Sequence, residues 1–228
     1  MDDDATLLAS SEKATAELRA LLVQQLPPYV PGPGEKLLRL SFVWRETLFH
    51  RVVDLSSSAL AMFREGRLIP GCTLTRALYE TVANLYLFHK KLLKAVESQD
   101  LEDLTNCVIK GAWGSKDREL NVAEPLQVLT SIKHLDKEFY GAEREYFHLC
   151  EYAHPNMKGG IGTYSKIEIP AYSVNFGTNP QNLRMGPFGL GGLEIILVVA
   201  KELHDRHQAA EKHLIKTVRK NAARHSLD

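Results

Sequence analysis

The residues best suited to chemistry lie on one stripe of an apolar segment. From Leu74 to Phe88 most residues are aliphatic or aromatic. The charges in this run are Arg76 and Glu80, and Asn84 follows one turn later. A spacing of four residues places all three side chains on one face of a helix. A helix whose other faces are all apolar is expected to be buried. Because a buried charge is costly unless it is paired, the stripe either forms an internal Arg76–Glu80 ion pair or lines a ligand-binding or catalytic cleft.

A second predicted helix ends in residues that could meet this stripe. Tyr146, Cys150 and His154 recur every four residues and share a face that reaches the helix C-terminus. The negative end of a helix stabilises an imidazolium there. His154 therefore either caps the last carbonyls of its own helix or reaches a ligand. The candidate ligand-binding residues are Arg76, Glu80, Asn84, Tyr146, His154 and Asn156, and the candidate catalytic residues are His154, Arg76, Glu80 and Tyr146.

Two Glu-x-x-His motifs, Glu145 to His148 and Glu151 to His154, raise the question of a metal. Di-iron carboxylate bundles take one such motif from each of two helices. Here both motifs lie on one helix, six residues and hence about 240° apart around its axis. We therefore expect no metal. No P-loop or dinucleotide fingerprint occurs either, so we expect no cofactor.

Metal-independent ribonuclease chemistry is an alternative. Small helical nucleases of the HEPN type carry Arg-x(4–6)-His on a helix, where a histidine acts as general base and the arginine stabilises phosphorane charge. With nine histidines among many arginines, chance alone predicts such matches. The matching pairs are Arg45 with His50, Arg206 with His213, and Arg219 with His225.

The composition indicates a globular protein without a strong electrostatic preference. The chain has 228 residues, 44% of them apolar, and its 28 basic residues balance 28 acidic ones. Nucleic-acid binding is therefore only weakly supported and would need a local basic patch.

Three cysteines without a CxxC pair suit a reducing compartment. The acidic start and the lack of an apolar run near 18 residues predict a cytoplasmic protein without a membrane segment.

Apolar periodicity and helix breakers predict an all-α bundle of about seven helices. Residues 1–34 are expected to form a helical arm and a Pro/Gly linker, and 35–228 the bundle domain. Segment 156–192, rich in glycine and proline, is expected to be a long irregular loop with a possible short β-hairpin. The helices are expected over 5–26, 35–65, 73–97, 100–113, 124–134, 137–153 and 193–223.

The last helix suggests a way for the chain to associate with itself. Leu203, His207, Ala210 and Leu214 follow a heptad-like spacing. That spacing predicts a homodimer seam along this helix. A solvated helix face remains the alternative for the basic residues around it.

The two polar motifs together resemble an uncharacterised bacterial helical family, domain of unknown function 5677. The resemblance is carried by Arg76-Ala-Leu-Tyr-Glu80 and by Tyr146-Phe-His-Leu-Cys-Glu-Tyr-Ala-His154-Pro155, and it covers roughly residues 40–215. It implies an all-α bundle distantly related to HEPN domains, without an assigned activity, in which Arg76, Glu80, Tyr146 and His154 are the matching positions. The sequence thus favours a module that binds a small anionic ligand or a partner, with an HEPN-like ribonuclease as the alternative.

Overall fold

A computed structural model describes residues 2–32, 34–177 and 189–225 of the chain. Within these ranges the fold is all-α, with seven helices of nine residues or more and one small antiparallel hairpin. The predicted fold class is confirmed. The helices are α1 (Asp2–Leu21), α2 (Glu35–Arg64), α3 (Leu68–Ser98), α4 (Glu102–Trp113), α5 (Val128–Asp136), α6 (Ala142–Ala153), the single turn α7 (Gly162–Tyr164) and α8 (Gly191–His225).

The predicted long loop contains ordered pieces. A π-helical turn at Met157–Ile161 leads into α7 and then into β1 (Ser165–Glu168) and β2 (Ser173–Phe176), which a 3-10 turn at Ile169–Ala171 connects. The predicted hairpin is therefore present. Residues 178–188 of the predicted loop lie outside the described residues.

Helix α3 is the centre of the bundle. It packs against α2, α4, α5, α6 and α8. Leu78, Val82 and Leu85 have no solvent exposure, as expected for a helix whose apolar residues surround its axis. The stripe of Arg76, Glu80 and Asn84 is less deeply buried than these neighbours, so the polar residues occupy the face where the surrounding helices leave room.

The start of α3 differs from the prediction. A helix was expected over 73–97, but α3 begins five residues earlier, at Leu68, and includes Pro70 in its first turn. Proline is tolerated in a first helical turn because its missing N–H would have had no intrahelical acceptor. Thr73 donates its hydroxyl to the Ile69 carbonyl at 2.8 Å.

The N-terminal helix is docked onto the bundle. α1 packs against α2 and α8, and Leu18 belongs to the main core with 1% exposure. α1 ends at Leu21 rather than near residue 26. None of the helices in the described ranges combines the length and the apolar character that a membrane crossing requires.

The residues that predict a dimer seam on α8 are buried within their own chain, and the homodimer itself stays a prediction. Leu203 and Leu214 have no exposure, His207 has 1% and Ala210 has 6%. α8 packs against α2 and α3 of its own chain. The four side chains therefore lie in or beside this intramolecular interface. A second copy of the chain cannot reach them without unfolding the bundle.

A close contact between α4 and α2 gives a prediction on packing. A Cβ at Gly111 would lie 2.0 Å from Cζ2 of Trp44, whose side chain is 4% exposed. Gly111→Ala is therefore expected to lower the free energy of unfolding by roughly 1–3 kcal/mol in urea titration, although alanine alone would favour the helix. The control is Lys110→Ala, at an exposed position beside it. A Gly111→Ala variant as stable as the wild type would mean that this contact relaxes without cost.

Candidate functional site

Three of the six candidate site residues meet between α3 and α6. Glu80 Oε1 accepts a hydrogen bond from Arg76 Nε at 3.2 Å and another from the Tyr146 hydroxyl at 3.1 Å. The side chains of Arg76 and Glu80 are 30% and 25% exposed, whereas Tyr146 is buried. The predicted ion pair within α3 is therefore present and also receives a donor from α6, while a ligand-binding or catalytic role of these residues stays a prediction.

The antiparallel packing of α3 and α6 explains these contacts. Glu80 meets Tyr146, and the electrostatic neighbours of Arg76 include Cys150, one turn further along α6. Burial, followed by the nearby Glu80 carboxylate, raises the pKa of the Tyr146 phenol. Burial acts to lower the pKa of Arg76, but its hydrogen bond and ion pair with Glu80 outweigh this and raise the pKa. The arrangement therefore keeps a neutral phenol and a cationic guanidinium on either side of one carboxylate.

Asn84 lies on the predicted stripe but has another partner. Its Oδ1 accepts a hydrogen bond from the Ser131 hydroxyl of α5 at 2.9 Å. Asn84 therefore links α3 to α5. No hydrogen bond joins it to the Arg76, Glu80 and Tyr146 cluster among the described residues.

His154 and Asn156 lie at the end of α6. His154 is exposed and its backbone N–H donates to the Cys150 carbonyl at 3.0 Å. Asn156 Oδ1 accepts from the N–H groups of Lys158 and Gly159, at 3.0 and 3.1 Å, so this side chain holds the π-helical turn. A Cβ at Gly159 would lie 2.1 Å from the His154 carbonyl oxygen. The glycine is needed because the turn folds back directly onto the helix end.

The arginines of the three Arg-x(4–6)-His matches pair with carboxylates. Within the described residues, Arg45 is held in buried ion pairs, Arg206 pairs with Glu138 and Glu202, and Arg219 pairs with Glu35. His50 and His213 are exposed, and the side chain of His225 lies outside the description. These arginines are held by carboxylates in the described part of the chain, and ribonuclease activity stays a prediction.

The cysteines do not offer a reactive thiolate. Burial raises the pKa of Cys72 to about 12 and that of Cys107 to about 11. Burial also raises the pKa of Cys150, although Arg76 acts in the opposite direction. Since the thiolate is the nucleophile, these environments favour inert thiols. Across the described residues there is no cluster of three or more potential metal ligands.

A buried histidine cluster was missed by the sequence analysis. His89 of α3 and His207 of α8 stack with ring centroids 5.1 Å apart and planes 16° from parallel. His204 packs edge-on against Phe49 next to them. Burial lowers the pKa of both His89 and His207. Histidines inside apolar helical segments were the available signal, but their pairing depends on how α3 and α8 pack.

A partly buried carboxylate near the start of α8, Glu145, was also missed as a possible site residue. Glu145 has an Oε1 atom without a hydrogen-bond partner, and a Cβ at Gly192 would lie 2.8 Å from it. Burial raises the pKa of Glu145. The residue lines a cleft of about 260 Å³ together with Tyr79, Tyr140 and Ile195.

Comparison with protein-family models, with curated proteins and with solved structures gives no match. The resemblance to the bacterial helical family is therefore still a prediction. It rests on Arg76, Glu80, Tyr146 and His154 alone.

Proposed function

We propose that the chain is a binding module that takes a small anionic ligand, a carboxylate or a phosphate, at Arg76. One observation carries this proposal. Arg76 uses Nε for Glu80, while neither of its Nη nitrogens donates to any residue in the described ranges. Among the described residues, this partly exposed guanidinium thus keeps both Nη groups without an acceptor.

The chemistry of these two Nη groups determines the ligand class. A guanidinium is planar and always charged, and its parallel N–H groups fit the two oxygens of a carboxylate or phosphate. Glu80, itself held by Tyr146, fixes the side chain, so little rotamer entropy is lost when the ligand binds. His154 follows Cys150, the neighbour of Arg76, by one helical turn, or about 6 Å along the helix axis. A ligand with two negatively charged groups can therefore contact both Arg76 and His154.

The proposal is tested by isothermal titration calorimetry at low ionic strength. The full chain is titrated with inorganic phosphate and, separately, with succinate, and the heat of binding is measured. Saturable binding is expected for the wild type. Arg76→Lys should weaken it by about tenfold, because the charge remains but the planar fork is lost, and Arg76→Gln should abolish it.

Arg219→Gln is the matched control, since Arg219 also pairs with a glutamate but is exposed at another place in the fold. It should bind like the wild type. Urea unfolding of each variant shows whether the fold is retained. Absence of saturable binding by the wild type, or equal binding by a folded Arg76→Gln variant, would overturn the proposal.

A further inference from the structure

The hairpin of β1 and β2 has an apolar face that is largely exposed in the part of the chain that the structure describes. Ile167, Val174 and Phe176 share one face, because Ile167 is opposite Val174 and Phe176 is opposite Ser165. These side chains are 61%, 46% and 87% exposed. The other face carries Lys166, Glu168, Ser173 and Asn175. An isolated two-stranded hairpin is only marginally stable, whereas a wider sheet with an apolar face is stable.

Among the described residues, no strand other than β2 pairs with β1, so the outer edge of β1 is open. Gly177 N–H donates to the Tyr164 carbonyl at 3.0 Å, and hydrogen-bonded pairs alternate along an antiparallel ladder. Lys166 and Glu168 therefore bond towards β2, and the N–H and C=O of Ile167 point away from it. Unpaired groups on a strand edge are a template for another strand.

The side chains flanking Ile167 identify which strand fits. If a second β1 pairs antiparallel with Ile167 opposite Ile167 of the second copy, the two residues exchange both backbone hydrogen bonds. Lys166 then lies directly opposite Glu168 of the second copy, and Glu168 opposite its Lys166. These are non-hydrogen-bonded positions, where side chains approach closely and opposite charges stabilise the pair. Lys166 and Glu168 already lie 3.6 Å apart on the same face.

We propose that two copies of the chain form a homodimer by antiparallel pairing of their β1 strands, with the two-fold axis at Ile167. The dimer contains a four-stranded sheet in the order β2–β1–β1–β2, with one continuous apolar face and an alternating-charge face. The interface is isologous, as two-fold symmetry requires. It replaces the seam predicted on α8 and does not depend on anion binding at Arg76.

The test measures the mass of the full chain by sedimentation equilibrium over a range of protein concentrations. The wild type is expected to be a dimer. Ile167→Pro should give a monomer, because it removes the outward N–H donor while the ladder with β2 does not use that group. The matched control is Val174→Pro, which makes the same change on the opposite edge of the hairpin and should leave the dimer intact.

Charge exchange tests the register. Lys166→Glu places like charges opposite each other at two symmetric positions, and we expect dimer dissociation to become about tenfold more favourable. Combining it with Glu168→Lys restores opposite charges and should restore the dimer. Ile167→Cys should form a disulfide between copies under mild oxidation, since facing residues at a hydrogen-bonded pair lie about 5.5 Å apart.

A wild-type chain that is monomeric at all concentrations would overturn the proposal. So would a dimer that is unaffected by both Ile167→Pro and Lys166→Glu. Circular dichroism of each variant confirms that the helical bundle is folded, so a loss of the dimer is not confused with a loss of the fold.

Discussion

Lowering the pH from 6.5 to 5 is expected to reduce the free energy of unfolding by about 2–3 kcal/mol, mostly through His207 and His89. A histidine that stays neutral in the folded state and becomes protonated in the unfolded state costs up to about 1.4 kcal/mol per pH unit. Two such residues act over this range. The range lies above the usual pKa of carboxylates, so most acidic side chains contribute little to the change. Glu145, whose pKa burial raises, acts in the opposite direction.

The sign of the effect follows from the surroundings of the two rings. His207 is 1% exposed and His89 is 4% exposed, and burial is the main cause that lowers both pKa values. Positive or protonatable neighbours act in the same direction, namely Arg45 and His204 on His207 and Arg206 on His89. The Leu85 carbonyl, 3.2 Å from His207 Nε2, and Glu138 act in the opposite direction. Because the folded pKa is depressed, the stability is complete above the unfolded pKa and is lost as the pH falls.

His207→Gln tests this assignment. The amide can still donate to the Leu85 carbonyl but does not titrate, so the dependence of unfolding free energy on pH between 6.5 and 5 should fall by about half. The control is His213→Gln, which removes an exposed histidine from the same helix and should leave the slope as it is. An unchanged slope in His207→Gln would show that this histidine is not the source of acid sensitivity.

The second large effect is expected at Arg45. Its guanidinium donates to Glu46 Oε1 through Nε at 3.0 Å and through Nη2 at 2.6 Å, and to Glu211 Oε2 through Nη1 at 2.9 Å. The side chains of Arg45 and Glu46 are each 10% exposed. Arg45→Met should lower the free energy of unfolding by about 3–5 kcal/mol, because Glu46 is left buried without a counter-charge.

The double variant Arg45→Met with Glu46→Leu separates the causes. It should be more stable than Arg45→Met alone, since a buried ion pair replaced by packed apolar side chains is often close to neutral. Arg64→Met is the matched control. Arg64 pairs with Glu12, but its side chain is 56% exposed, and such a pair contributes about 1 kcal/mol or less. If Arg45→Met cost no more than Arg64→Met in urea titration, Arg45 would not be a structural residue.

The structural role of Arg45 also bears on the ribonuclease hypothesis. Arg45 and His50 match an Arg-x(4–6)-His spacing, yet the arginine binds two carboxylates and His50 contacts the Val23 carbonyl at 3.2 Å. Spacing along a helix shows which side chains can share a face. It does not show which other helix supplies the partner.

Local patterns determined the elements of this fold. The apolar run from Leu74 to Phe88 predicts a buried helix, and α3 is the central helix of the bundle, with its polar stripe partly exposed. A spacing of four also places Arg76 beside Glu80, because both lie on the same helix face. The β-leaning segment before the last helix predicts a strand, and β1 occupies it. All of these follow from interactions within a few residues, which a sequence displays directly.

Only the tertiary structure decided which element faces which. The heptad-like spacing of α8 fits a second copy and fits α2 and α3 of the same chain equally well, because burial of an apolar stripe does not depend on where the covering helix comes from. The hydrogen bond from Tyr146 to Glu80 and the stack of His89 on His207 join residues 66 and 118 positions apart. Such contacts depend on which of several possible partner helices each helix packs against in the folded chain. The sequence therefore determined the helices and their polar stripes, and the packing of α3 against α6 and α8 determined the candidate site.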